Sequence, residues 1–557
     1  MSDLSVTPVY LDLGGALAAF GLIFAVYQLR KPEWELILRL RVWWQRKLFW
    51  ILGTMGLILT LVRVLVSETA FIHLQSPFDI PLFYEIAAYL LFVASPLSLL
   101  FLSTRSKGLF SDRNAGRFFE VMVREISRMG DDGIYAALGV LLANFQNICR
   151  TTKKPSVDKN VRKSAATILD VILSDELIVK SLTTKRLDAL QYIFSVVEQN
   201  SISSRESGIG IPRIVHNLFY DKNSYFYKHL DRNGLALSWN IYDTIFDSPV
   251  ILTNFDLFDF PTLDYTARTS LDNTGIMVLI EALSRAIKTY LKTGNVPPRH
   301  INNGLSYLSE IFGDICLRIS TEERRGVDTK YSLRDDWWGL YLIAKFLGHD
   351  YQFLAYQETL NQDIIETEKT ASEAGFYSNT TINEGVAAAL YKAFEQLSYI
   401  ENSMDVYHIA IELLHGMTYV PEYKEGFRAP FEKRMWEQIA SNVIGRYYPA
   451  PLRTYLLLIG FYLVADQNRS NGWIVEQAER MRRLLYVDMK PLLEEDIEMI
   501  NKKKMKDALL PEVMGYKDGR FTYRTEFGKG EEHVITPPAE GATTALEGVD
   551  LETRSLL

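Results

Sequence analysis

Residues 48–66 read LFWILGTMGLILTLVRVLV, a run with a single charge, Arg63. At 1.5 Å per helical residue it covers about 28 Å, close to the thickness of a bilayer core. Two further runs resemble it. Residues 13–29 carry no charge, and residues 84–103 carry only Glu85 at their start. No later stretch is as clean. The pattern predicts three transmembrane helices, at about 13–29, 48–66 and 84–103, within a membrane domain of residues 1–107.

The flanks orient these spans. Residues 1–29 contain Asp3 and Asp12 but no Lys or Arg, so a secretory signal peptide, which needs a basic start, is excluded. The first loop holds Arg30, Lys31, Arg39, Arg41, Arg46 and Lys47. The second holds Glu68 and Asp79, and Arg105 and Lys107 follow the third span. The positive-inside rule places the N-terminus outside and everything after residue 103 inside, as in a bacterial inner-membrane protein. The linker 33–47 (EWELILRLRVWWQRK) alternates Trp34, Trp43 and Trp44 with basic residues at helical spacing. Two readings stand: an amphipathic helix in the headgroup layer with Trp50 in the same aromatic belt, or an early start of the second span.

Charges in or near hydrocarbon need a partner, water or a route to the surface. Asp12, Arg63 and Glu85 fall at similar depth, so Arg63 can pair with Glu85 or Asp12. They form either a charged outer vestibule of an ion pathway or a structural ion pair. Ser95 and Ser98 flank Pro96, a kink candidate, and make a polar notch that lines a pore or simply packs. Gly14, Ala18, Gly21 and Ala25 place small residues on one face of the first span, for contact between subunits or within the chain.

The rest of the chain reads as a cytosolic body. It has 557 residues with 48% apolar content, too apolar for disorder and too long for one core. Residues 1–107 carry a net charge of +2 and the remainder −10, which excludes a globally basic nucleic-acid binder. Two cysteines, Cys149 and Cys316, exclude a disulfide scaffold and a thiolate zinc site. Residues 108–514 show successive 3.6-residue periodicities with few alternating strands. The predicted fold is therefore all-α: three transmembrane helices, then an irregular helical bundle or solenoid-like stack with a candidate division near 321–330. Residues 452–464 are too short between charges for a fourth span and read as a core helix. Val250 to Phe260 is the least helical stretch. Residues 515–557 read as an acidic, loosely ordered tail.

Catalytic motifs are missing: no phosphate loop, no dinucleotide fingerprint, no HExxH and no GxSxG. The chain reads as a non-enzyme without cofactor, although an unrecognised site stays as a third reading. His408, Glu412 and His415 share a helix face with metal-like spacing but more simply belong to a packed helix. Asp335 and Asp336 suit the start of a helix. Aromatic and basic residues mix at Tyr225, Tyr227, Lys228, His229 and Arg232, and further basic knots are Arg324, Arg325, Arg482 and Arg483. Such groups can stack on and neutralise a nucleotide or oligonucleotide, or lie on solvated helix faces.

The layout of an N-terminal membrane domain and a heavy helical body resembles bacterial antiphage membrane effectors, among them the channel component of the Hailong system. The resemblance implies a homo-oligomeric channel in the lipid bilayer, gated by an oligonucleotide or a protein regulator bound to the body. The alternative is a membrane-anchored scaffold that conducts nothing.

Overall fold

The structure, a computed structural model, describes residues 15, 17–19, 21, 24–25, 32–41, 43–68, 80–104, 109–230, 239–259, 271–325, 333–350, 381–397, 399–400, 404–419, 431–437, 439–440, 472–495, 514–524 and 532–546. These residues are mostly helical, with one three-stranded sheet that corrects the all-α expectation. The chain divides into two compact units between Ile214 and Val215.

In the first unit, α1 (Pro32–Leu40) leads through a bend at Arg41 into α2 (Trp43–Glu68). A second long apolar helix, α3 (Ile80–Thr104), runs antiparallel to α2. Both are long and apolar enough to cross a membrane. The expected first span is helical where described, and the rest of it, including Asp12 and Gly14, lies outside the described residues. The next segment follows one helix, α4 (Ala115–Lys153), where two shorter helices were expected. Its 39 residues make about 58 Å of rod. Its N-cap is Asn114.

Three further helices, α5 (Lys159–Ser174), α6 (Glu176–Lys185) and α7 (Leu187–Gln199), complete this unit's helical layer. Asp158 caps α5 by accepting from the Asn160 amide. Asp175 ends α5 and caps α6 by accepting from the Leu177 and Ile178 amides. The buried stripe of α5 (Ala165, Ile168, Leu169, Ile172, Leu173) has helical period, and α5 lies along α4.

The second unit is built around α12 (Pro298–Arg324), with α11 (Asn273–Thr293), α13 (Arg334–Lys345) and α14 (Ile382–Leu397) against it. Upstream, α8 (Tyr225–Leu230) and α9 (Trp239–Phe246) contribute an aromatic cluster in which Phe226 stacks on Tyr242 at 4.2 Å, and α10 (Pro249–Asn254) follows. The stretch 250–260, expected to be irregular, begins inside α10. Ser248 caps that helix and Pro249 opens it, so local capping chemistry overrides weak periodicity.

After α13, residues Phe346–Asp350 form a π turn against α15 (Met404–Tyr419). Gly348 lies against the Glu412 backbone carbonyl, where no Cβ fits. A second π turn, Leu484–Met489, follows α16 (Gly472–Arg483). The expected core helix at 452–464 lies outside the described residues.

Part of the expected loose tail is built instead into structure. Strands β1 (Met514–Lys517), β2 (Arg520–Arg524) and β3 (Glu532–Val534) pair antiparallel in sequence order. Asp518 and Gly519 turn β1 into β2 with φ of 51° and 75°, the geometry of a tight hairpin loop. Residues 535–546 then lie along α16 and its π turn. Arg480 donates to the Ala545 carbonyl at 3.0 Å, and Tyr486 donates to the Ile535 carbonyl at 2.6 Å. The Asp488 carboxylate accepts from the Thr544 hydroxyl and, at 3.0 Å, from the Ala545 amide. Side chains of one helix thus hold a segment that composition alone marks as loose.

Candidate functional site

The site is the α2–α3 hairpin and its base. The buried face of α2 carries Phe49, Gly53, Gly56, Thr60 and Arg63, and that of α3 carries Glu85, Ala88, Phe92, Ser95, Leu99 and Leu102. Both series alternate steps of three and four, the spacing of a long, nearly parallel helix contact. Small residues on α2 let the helices approach: a Cβ on Gly56 would stand 3.2 Å from the Phe92 ring.

Several polar side chains in this seam have partners inside it. Arg63 and Glu85 form an ion pair at 3.4 Å with 8% and 6% exposure. Ser95, fully buried, donates to the Phe49 carbonyl at 2.8 Å, and Ser98 donates to the Ser95 carbonyl at 2.7 Å. Within one chain, the charged pair and Ser95 therefore hold helix to helix. The opposite faces are apolar: Ile51, Met55, Ile58, Leu61 and Leu65 on α2, and Phe83, Ile86, Leu90, Val93, Leu97 and Phe101 on α3, are all exposed.

On the N-terminal helix, Ala18, Gly21 and Ala25 are exposed and an added Cβ on Gly21 meets nothing within 4 Å. Its other face touches the hairpin through Ala19, and through Phe24, whose ring lies 6.2 Å from Trp50.

The linker corrects one expectation and refines another. Leu36, Ile37, Leu38 and Leu40 of α1 are buried against α3 and α4, so protein covers the apolar face that the sequence assigns to lipid. The second span's helix does start early, at Trp43. Trp43 and Trp44 are exposed by 62% and 53%, Trp34 is half-buried, and Trp50 packs edge-on against Phe49.

Two arginines lock this elbow. Arg41 donates to the Leu102 carbonyl at 3.1 Å, and Arg117 of α4 donates to the Arg39 carbonyl at 2.7 Å. Both acceptors are helix-terminal carbonyls without an intrahelical partner, where cations also suit the dipole. Asn144 then fixes the chain leaving the hairpin: its carbonyl accepts from the Leu109 and Phe110 amides at 2.9 and 3.1 Å. Sequence reading missed Arg117 and Asn144. The one available signal was an Asn inside the apolar run 134–148.

The anion-binding candidates differ in exposure and in partners. On α8, Tyr227 is buried while Lys228 is exposed and lies 5.7 Å from the Tyr225 ring. Burial, with Asp272 and Asp221 nearby, pushes the Tyr227 phenol well above its ordinary value. Arg325 pairs with Glu322 at 2.6 Å beside exposed Arg324, Arg482 pairs with Glu479 at 3.1 Å, and Arg483 is half-buried. Arg232 and the His229 side chain lie outside the described residues.

His408 is exposed and Glu412 half-buried, the His415 side chain is not described, and no metal-ligand cluster occurs among the described residues. Asp335 and Asp336 occupy the first turn of α13, and Asp336 accepts from Arg318 at 2.6 Å. No family model, curated protein or solved structure matches the chain.

Proposed function

We propose that this chain is an integral membrane effector: a bilayer-embedded hairpin tied at its base to a helical body that receives a ligand or partner. The observation that carries the reading is the pair of long exposed apolar faces on α2 and α3. A buried helix of a soluble protein hides such a face, and a contiguous apolar surface of this size needs lipid or protein to cover it. From Trp43 to Arg63 is about 30 Å, so Trp43 and Trp44 sit at one interface while the ion pair lies near the other. Several copies together form an ion-conducting assembly, and the body biases it between two states through α1 and α4. The resemblance to antiphage effectors supports the same output.

The non-conducting scaffold is the second reading. It is favoured by the sealing of Arg63, Glu85 and Ser95 inside one chain, which leaves the hairpin little polar surface. Resistance to alkaline extraction tests the anchor. Ion flux from liposomes, with and without candidate nucleotides, separates the two outputs: flux supports the channel, and its absence under all conditions leaves the scaffold.

A further inference from the structure

We propose that residues 544–546 are a plug on an exposed arm, and that the socket holding it, on α16 and its π turn, also accepts the plug of a second copy of this chain. The socket reads backbone. Arg480 Nε donates to the Ala545 carbonyl at 3.0 Å, and Asp488 accepts from the amide of the same residue at 3.0 Å and from the Thr544 hydroxyl. The Thr544 oxygen accepts in turn from the Leu546 amide at 3.1 Å.

Arg480 is held from behind as well. Its guanidinium lies 4.0 Å from the centre of the buried Trp436 ring, and Trp436 Nε1 donates to buried Gln477 at 3.0 Å. A fixed donor and a fixed acceptor, spaced for the two backbone groups of one residue, suit an extended peptide. Ala545 is 2% exposed, so the socket selects a small side chain. The π turn that carries Asp488 is a rare distortion that recurs at functional positions.

The arm starts from a firm point, because buried Ile535 continues the sheet by donating to the Phe521 carbonyl at 2.9 Å. Between Ile535 and Ala545 no residue is buried, and Thr536, Pro537, Glu540, Gly541 and Thr543 are exposed. A segment held only at its ends opens locally at low cost. Extended, residues 536–544 reach about 30 Å. Every copy carries the same plug, so an opened socket meets a matching ligand on any neighbour. An isolated chain keeps its own plug, which the short arm holds at a high effective concentration. Copies held side by side compete on equal terms and become linked by exchange.

The test uses the full chain in detergent micelles and is independent of whether α2 and α3 span a bilayer. Isotope-labelled D488A keeps a plug but loses its socket, and its Ala545 amide exchanges about tenfold faster than in wild type. Unlabelled A545R and A545L each keep a socket but lose the plug. Either one, added in excess, slows exchange at the labelled Ala545 amide about fivefold, and D488A/A545R, with neither part, leaves it unchanged. Amides in the centre of α12 stay protected throughout and report folding.

No slowing by either donor overturns the proposal, as does equal slowing by D488A/A545R, which assigns the contact to another surface. A second measurement needs no variant chain. Excess synthetic peptide of residues 535–546 displaces the plug of wild type and speeds exchange at its Ala545 amide, whereas the same peptide carrying A545R does not. Indifference of wild type to the first peptide overturns the proposal even where the variant chains fail to fold.

Discussion

Breaking the ion pair between Arg63 and Glu85 gives a large and asymmetric effect. At 3.4 Å and an effective dielectric constant of about 20, the two charges attract by about 5 kcal/mol. Much of that offsets their desolvation, since both are more than nine-tenths buried. Removing one partner leaves the other buried, a loss of about 3–5 kcal/mol. The pair lies within a turn or two of the helix ends, so the lower figure applies, about a 150-fold change in the folding equilibrium.

Glu85→Gln strands a guanidinium that stays charged, whereas Arg63→Met strands a carboxylate that can take up a proton. E85Q is therefore the worse variant, and the double variant R63M/E85Q recovers most of the loss. Equilibrium unfolding in mixed detergent micelles measures all four corners of the cycle. If the double variant loses the sum of the two single losses, or E85Q costs under about 0.5 kcal/mol, the pair does not hold the hairpin and the reasoning fails. In the conducting reading, the sealed pair leaves ion selectivity unchanged in R63M/E85Q; altered selectivity places both residues on the path.

Gly56→Leu forces atoms into the Phe92 ring and costs about 1–3 kcal/mol in the same unfolding assay, while Phe92→Ala on that background restores stability. Equal stability of G56L and wild type contradicts the close approach. Arg41→Ala frees the Leu102 carbonyl and costs about 1–2 kcal/mol; hydrogen exchange at the base of the hairpin rises with it. Asp488→Ala removes two acceptor contacts to residues 544–545, so the Ala545 amide exchanges at least tenfold faster while amides in the centre of α12 do not change.

Burial pushes the Cys149 thiol up to about 12, leaving little thiolate at pH 8 in the folded chain. Maleimide labelling then follows unfolding. Because the folded value is raised, the unfolded chain gains by ionising this thiol once pH exceeds the ordinary thiol value, so Cys149 subtracts stability as pH rises from there toward 12. Rapid native labelling at pH 8 refutes the burial.

Much of the hairpin was legible because its physics is local in sequence. A run of about twenty apolar residues identifies a long apolar helix, and one basic and one acidic residue at matching depth identify each other. The face each side chain takes was less legible. Leu36, Ile37 and Leu38 have the spacing of a lipid-facing helix and the spacing of a core helix alike; only the arrival of α4 decides between them.

Trp50 reads as an interfacial anchor by type, yet the Phe49 and Phe24 rings cover it. In the tail, Asp518-Gly519 between Tyr516 and Phe521 is a hairpin signal that overall acidity obscured. The clamp on residues 535–546 was out of reach, because a π turn shifts the register of Asp488 relative to Arg480.

If α2 and α3 cross a bilayer as proposed, the sealed ion pair also bears on how the chain enters it. During synthesis α2 emerges first, carrying a cation, and α3 follows across residues 69–79 with the matching anion. Either helix alone presents the bilayer with an uncompensated charge, an expense of up to about 3 kcal/mol at full depth. Together they present a neutral pair. In the membrane reading proposed above, insertion is expected to be concerted, with α2 settling in the bilayer only once α3 brings the matching charge.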